Sequence, residues 1–286
     1  QYAALLQNAA PIIRAAGGQV VLGGLALDYI EGIDEGGIFN KDFLKDLLDH
    51  GGGSDFDIMN FHYYRAFAGR WEPYGRDVIG KTKWVRDRLA ERGLGNKPVM
   101  VTEIGDPSEG PASDNQDYSD ARSSRYVVQG LTRGLYAKLH SITWYQMVDV
   151  AGDPRKYGLL RSDYTPKPAY YAYQTHVREI GGLTNPTQTI SGQLERYTFN
   201  AGDRQKIVAW INAGSPLPLT GIAGRGVWLV DKLGGRQIIW DGQAGDLDRR
   251  ASYIGVQIGI EPVYIYPVRP KDLPRALLPV IRHAAR

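Results

Sequence analysis

Pro98-Val99-Met100-Val101-Thr102-Glu103-Ile104-Gly105 is an apolar run that closes on a carboxylate. No turn former separates the apolar residues from Glu103. The run therefore reads as a strand buried on both faces, with the acid at its C-terminal tip. A β/α barrel presents catalytic groups at that end of its strands. Working outward, the preceding strand-like segment ends in Asn60-Phe61-His62-Tyr63-Tyr64, and the following one carries Ile142-Thr143-Trp144-Tyr145-Gln146. A polar pair, a lone carboxylate and a tryptophan at successive strand ends form the pattern of one sugar-binding pocket.

Helical and strand-like periods alternate around these segments. Leu5, Ala9, Ile12 and Ala16 share one helical face over residues 2–16, and Gly17-Gly18 ends the run. Val20-Val21-Leu22-Gly23-Gly24-Leu25 is a short apolar strand. Asn40 stands where it can cap a helix bearing Phe43, Leu44, Leu47 and Leu48. Strands over 56–61, 98–105 and 141–148 follow, interleaved with helices near 76–92, 118–139 and 167–180. The order is one helix and then four strand–helix units, which implies parallel strands joined by right-handed crossovers. Two architectures satisfy it: the second half of an eightfold barrel, or a small open α/β sheet.

Past Gly181-Gly182 the texture changes. Leu183-Thr184-Asn185-Pro186-Thr187 is linker-like. Strand-like segments then recur at 194–200, 206–212, 226–231, 236–240, 253–258 and 262–267 without helical periods between them, the pattern of a β-sandwich. The expected organisation is an α/β domain over 1–181, a β-sandwich over 182–268, and a basic tail over 269–286 with a short helix around 275–285.

Composition narrows the function. The chain has 286 residues, 43% hydrophobic and 23% charged, with a net charge of +3. Those are the proportions of an ordinary globular protein. The small charge is not gathered into a long basic run, so nucleic acid is not an expected partner. No apolar stretch is long enough to suggest a membrane span. With no cysteine there are no disulfides or thiolate metal sites, which fits a cytosolic protein or a secreted bacterial one and does not choose between them. A secreted or extracytoplasmic location is the expectation slightly favoured. The five histidines form no HExxH pattern, and there is no phosphate loop, dinucleotide fingerprint or GxSxG elbow. Neither a metal nor a cofactor is expected.

The candidate chemistry rests on few residues. Glu103 at a strand tip is either a catalyst or a solvated loop carboxylate. Alternation places His62 and Tyr64 on one side of their strand, with Tyr63 opposite. There a phenol can orient and stabilise a carboxylate and an imidazole can bind a sugar hydroxyl; the alternative is a buried, satisfied pair. Trp144 offers a flat face for a pyranose and an N–H for a hydroxyl, or else fills the core. Trp71 is expected in an exposed loop, available for the same work. Asp28, Glu31, Glu72, Asp106 and Glu109 read as solvated loop acids.

These segments together resemble the C-terminal half of a clan A retaining glycoside hydrolase, nearest to families 39 and 5. The most specific element is Tyr157-Gly158-Leu159-Leu160 followed by Thr165-Pro166-Lys167-Pro168-Ala169-Tyr170-Tyr171, similar to the run that enters the last barrel helix in those enzymes. The resemblance covers roughly residues 1–181 and continues loosely into the β-region. It implies a partial (β/α)8 barrel of strands five to eight, with Glu103 as nucleophile, His62 and Tyr64 binding substrate and orienting it, and Trp144 in the glycone subsite. The family's general acid/base is a glutamate on strand four, which this chain does not contain. A complementary N-terminal half-barrel, or a second copy of the chain, is the expected partner, and a carbohydrate the expected ligand. A non-catalytic carbohydrate-binding remnant is the competing expectation.

Overall fold

Apolar spacing and terminal residues set the helices of the first unit. This computed structural model describes residues 1–28, 42–269 and 272; Glu31, Asn40 and nearly all of the basic tail, with its expected helix, lie outside them. Helix α1 (Tyr2–Ala15) stops where Gly17 takes φ of 79°, a backbone state glycine adopts without steric cost. Helix α2 (Phe43–Asp49) buries Leu44, Leu47 and Leu48. Then come β1 (Met59–Tyr64), α3 (Ala68–Trp71), α4 (Val78–Ala90), β2 (Val99–Gly105), α5 (Asp120–Tyr136), β3 (Ile142–Trp144) and α6 (Pro168–Ile180). Side-chain caps start two of the helices: Asp77 accepts from the Val78 N–H, and Ser119 from the Arg122 N–H.

The strands form a parallel sheet in the order β1-β2-β3. Residues 20–25 join its β1 side only through isolated parallel bridges, Val21 to Ile58 and Leu25 to Phe61. The adjacency expected from strand–helix alternation is present, but two strands are shorter than their apolar runs suggest. The 20–25 segment makes bridges instead of a ladder, and the last strand keeps three residues. Val21 and, on α1, Leu5 and Ile12 are exposed apolar residues. A hollow of about 920 Å³ lies between α1 and α2, lined by Tyr2, Leu5, Phe43 and Leu47.

The chain divides into two compact units, Gln1–Tyr170 and Tyr171–Arg286. Most of α6 thus goes with the strand-rich unit, where the sequence reading places the boundary after Gly181. Contacts inside that unit account for it. Glu179 of α6 accepts from Arg236 at 2.9 Å, and His176 Nδ1 lies 3.1 Å from the Tyr264 hydroxyl.

The second unit is antiparallel. Its strands are β4 (Thr187–Ser191), β5 (Leu194–Ala201), β6 (Arg204–Ile211), β7 (Leu217–Ala223), β8 (Gly226–Asp231), β9 (Arg236–Trp240), β10 (Tyr253–Ile258) and β11 (Val263–Pro267). They form a six-stranded sheet, β4-β5-β6-β11-β8-β9, and a two-stranded one, β10-β7. A core that includes Ile207, Ile211, Leu219, Val227, Ile254 and Ile265 draws on both sheets. Sequence reading misses β4 and β7. The first is an edge strand with almost no buried position, so no alternation marks it. The second contains Pro218 and Gly221, which read as turn formers; a two-stranded edge tolerates them.

His176 makes this unit sensitive to acid. It is buried, and desolvation holds its imidazole down to about 3 from an ordinary 6.5. The fold keeps the ring neutral while the unfolded chain takes up a proton below pH 6.5. Stability from this residue is therefore complete above that pH and falls as pH drops toward 3, by about 1.4 kcal/mol per unit. Hydrogen exchange at β6 and β11 amides between pH 7 and 5 should show the loss. His176→Gln should flatten it; an unchanged slope in that variant would assign the effect elsewhere.

Candidate active site

Strand pairing brings the quoted run against its predecessor. The register pairs Phe61 with Val101 and then His62 with Glu103, skipping Thr102. That skip is a β-bulge, a device that re-aims side chains beside functional sites. Asn60 holds it: its amide donates to Thr102 Oγ1 at 2.9 Å, and its carbonyl accepts from the Thr102 N–H at 3.2 Å. The bulge sets Glu103 beside His62 and Tyr64.

Two groups converge on one oxygen. The Tyr64 hydroxyl donates to Glu103 Oε2 at 2.5 Å, and His62 Nδ1 lies 3.1 Å from the same atom. Among the described residues Oε1 has no protein partner, and the Glu103 side chain is 30% exposed. One oxygen is thus held and the other open. Burial, reinforced by the Glu103 charge, pushes the Tyr64 phenol above its ordinary range, so it stays a donor. Burial lowers the His62 imidazole, while Glu103 pulls the other way. The ring is accordingly neutral at pH 7 and acts as a hydrogen-bonding group.

Of the two tryptophans, Trp144 ends β3 as expected, while Trp71 departs from the sequence reading. Trp71 is not exposed. It is 1% accessible, sits at the end of α3, packs edge-on against Trp84, and donates its N–H to Asp28 at 3.2 Å. Trp144 is 7% exposed and donates its N–H to the Tyr157 carbonyl at 3.1 Å, with its ring tilted against Tyr126. That donor is thus occupied by the backbone. The rings around Tyr64 are instead Tyr145 and Tyr157, with centroids at 6.0 and 5.3 Å. Tyr145 follows directly on β3, which ends at Trp144, so strand alternation does not predict where its ring points. Tyr157 lies in a loop with no periodic signal.

The loop acids are not all solvated. Asp106 is buried, with Arg122 bound to both its oxygens at 2.7 Å and Arg65 to one at 3.0 Å. Asp28 is buried against Lys81, whose Nζ donates to it at 2.7 Å, to the His62 carbonyl at 2.7 Å, and to the Ala26 carbonyl. Desolvation pushes Asp28 up and brings Lys81 down to about 8. Neither acid is available for proton transfer. Glu109 is open to solvent.

A cleft of about 430 Å³ is lined by Tyr64, the Glu103 partner, and by Gly105, Tyr118, Tyr157 and Arg155. That volume lies within the range of small-molecule sites. Arg155 binds Asp114 through two nitrogens at 2.8 and 2.6 Å, and Tyr118 donates to the same carboxylate at 2.6 Å. Its walls therefore combine aromatic faces with a paired cation.

No protein-family model matches the chain, and no curated protein sequence does. Solved structures do. A family 39 glycoside hydrolase from the gut symbiont Bacteroides cellulosilyticus WH2 aligns over 93% of this chain and 54% of its own, at 19% identity and TM-score 0.69. A glucosidase from Croceicoccus marinus aligns over 91% and 64%, at 13% identity and TM-score 0.59. A monomeric β-xylosidase from Caulobacter crescentus CB15 aligns over 94% and 66%, at 14% identity and TM-score 0.57. The chain spans between about half and two thirds of the length of these structures. At such identities the likeness concerns architecture alone: the chain has a glycoside-hydrolase type of fold.

Proposed function

We propose that the chain is the nucleophile-bearing part of a retaining β-glycosidase acting on poly- or oligosaccharides, built as strands five to eight of a (β/α)8 barrel with an accessory β-domain. One observation carries the reading: Glu103 has Oε2 held by Tyr64 beside His62 while Oε1 stays open. Oε1 attacks the anomeric carbon as the bond to the leaving oxygen breaks, passing through an oxocarbenium-like transition state to a glycosyl ester. The Tyr64 hydrogen bond orients the carboxylate, and His62 is placed to meet a sugar hydroxyl. Water then cleaves the ester, regenerating Glu103 and releasing the sugar with its original configuration.

The leaving oxygen needs a proton from a second carboxyl group about 5 Å away. Asp28 and Asp106 are tied to cations. Following the family resemblance, which puts the acid on strand four, we assign it to complementary β/α units. The occupied acids also favour a second reading, a carbohydrate-binding remnant that breaks no bond.

An activated 2-deoxy-2-fluoro glycoside separates the two, because its good leaving group departs without a proton donor. Incubated with the chain and complementary half-barrel units, it should add one sugar to the peptide holding Glu103, seen by mass spectrometry. Sugar binding with no covalent adduct would select the remnant reading. An adduct on another carboxylate would displace Glu103.

A further inference from the structure

The contact between His62 and Glu103 depends on a residue that touches neither sugar nor carboxylate. Gly24, in the apolar segment preceding β1, lies directly under the imidazole. A Cβ built on it would stand 1.8 Å from His62 Nε2, 2.4 Å from Cδ2 and 2.7 Å from Cε1. These are the three nearest atoms to that position. The space a methyl group needs is therefore taken up first by that ring.

The backbone beneath that ring is fixed from two other directions. The His62 N–H donates to the Leu25 carbonyl at 3.0 Å. Its carbonyl accepts from Lys81 Nζ at 2.7 Å, and Lys81 is fully buried. With N–H and C=O both held, the side-chain torsions are the freedom His62 retains. Gly24 then determines which of their settings are open.

We propose that Gly24 is a positioning residue: its missing side chain gives the His62 imidazole the place from which Nδ1 faces Glu103 Oε2. The catalytic meaning of that contact rests on the glycosidase reading above; the positioning itself does not. Gly24 is not among the residues with positive φ, so alanine fits its backbone without strain. The group in its way is the far end of a side chain. Gly24→Ala is thus expected to fold and to turn the ring out, instead of shifting the strand.

The tautomer of the neutral ring reports the outcome without any substrate. A ring nitrogen 3.1 Å from a carboxylate oxygen carries the proton. The groups whose charge reaches His62 are Glu103, Lys81 and Asp28, and Gly24→Ala alters none of them. Nitrogen chemical shifts of His62 above pH 8 should show the Nδ1–H form dominant in the parent chain. In Gly24→Ala the dominant form should switch to Nε2–H, the one imidazole prefers in water, with thermal unfolding and the β1–β2 amide shifts otherwise preserved. A parent chain already in the Nε2–H form would overturn the proposal, with no variant needed. So would a folded Gly24→Ala chain that keeps the parent's tautomer. Loss of fluoro-glycoside labelling in both chains, with the tautomer switch intact, would instead count against the glycosidase reading alone.

Discussion

Glu103→Gln is expected to abolish covalent capture of the fluoro-glycoside and to cut turnover by about 10⁴- to 10⁶-fold, the scale on which removing a nucleophile acts in hydrolases. The exchange keeps the side chain's length and its ability to accept from Tyr64, so the fold should be untouched. What is lost is the anionic oxygen that forms the ester. Steady-state rates with an aryl glycoside, measured in a sample containing the complementary units, test this. A residual rate within tenfold of the parent would mean that bond cleavage does not pass through Glu103.

The largest effect on folding is expected at Lys81. Its ammonium is fully buried, pairs with Asp28, and ties the Ala26 and His62 carbonyls together. Lys81→Met removes the cation and leaves the Asp28 charge in low dielectric, which costs about 3–5 kcal/mol. Removing both charges together avoids that penalty, so Asp28→Asn combined with Lys81→Met should recover much of the loss. Urea unfolding of the first unit, compared across the single and double variants, measures it. A single variant within about 1 kcal/mol of the parent would show that Asp28 finds another way to be neutralised.

Lys81 also shows where reading the sequence stops. On α4 it is one of several lysines and arginines between apolar positions, and nothing local marks it as buried. Its partner lies 53 residues earlier, in a loop. Asp106 is similar: three residues after Glu103 it looks like a solvated acid, yet two arginines enclose it. Charges buried in pairs are invisible to periodicity, because the partner that makes burial tolerable comes from elsewhere in the chain. Trp71 misleads for a related reason. Its residue type suits a sugar platform, but exposure depends on what packs against it, here Trp84.

By itself the sequence determined the succession of strand and helix, the side of β1 on which His62 and Tyr64 lie, and the place of Glu103 near a strand end. Each is a local property, written in the period of apolar residues along one element. Most of the second unit's strands were legible from one buried face. Strand β4 was lost because neither of its faces is buried, and β7, although it buries Leu219 and Ile222, because Pro218 and Gly221 read as turn formers. Only the tertiary structure decided that Glu103 stands beside His62. That outcome turns on a one-residue skip at Thr102, held by Asn60, between strands whose site residues are 39 positions apart. Register between distant strands is set by long-range hydrogen bonds, and no pattern within either strand encodes it.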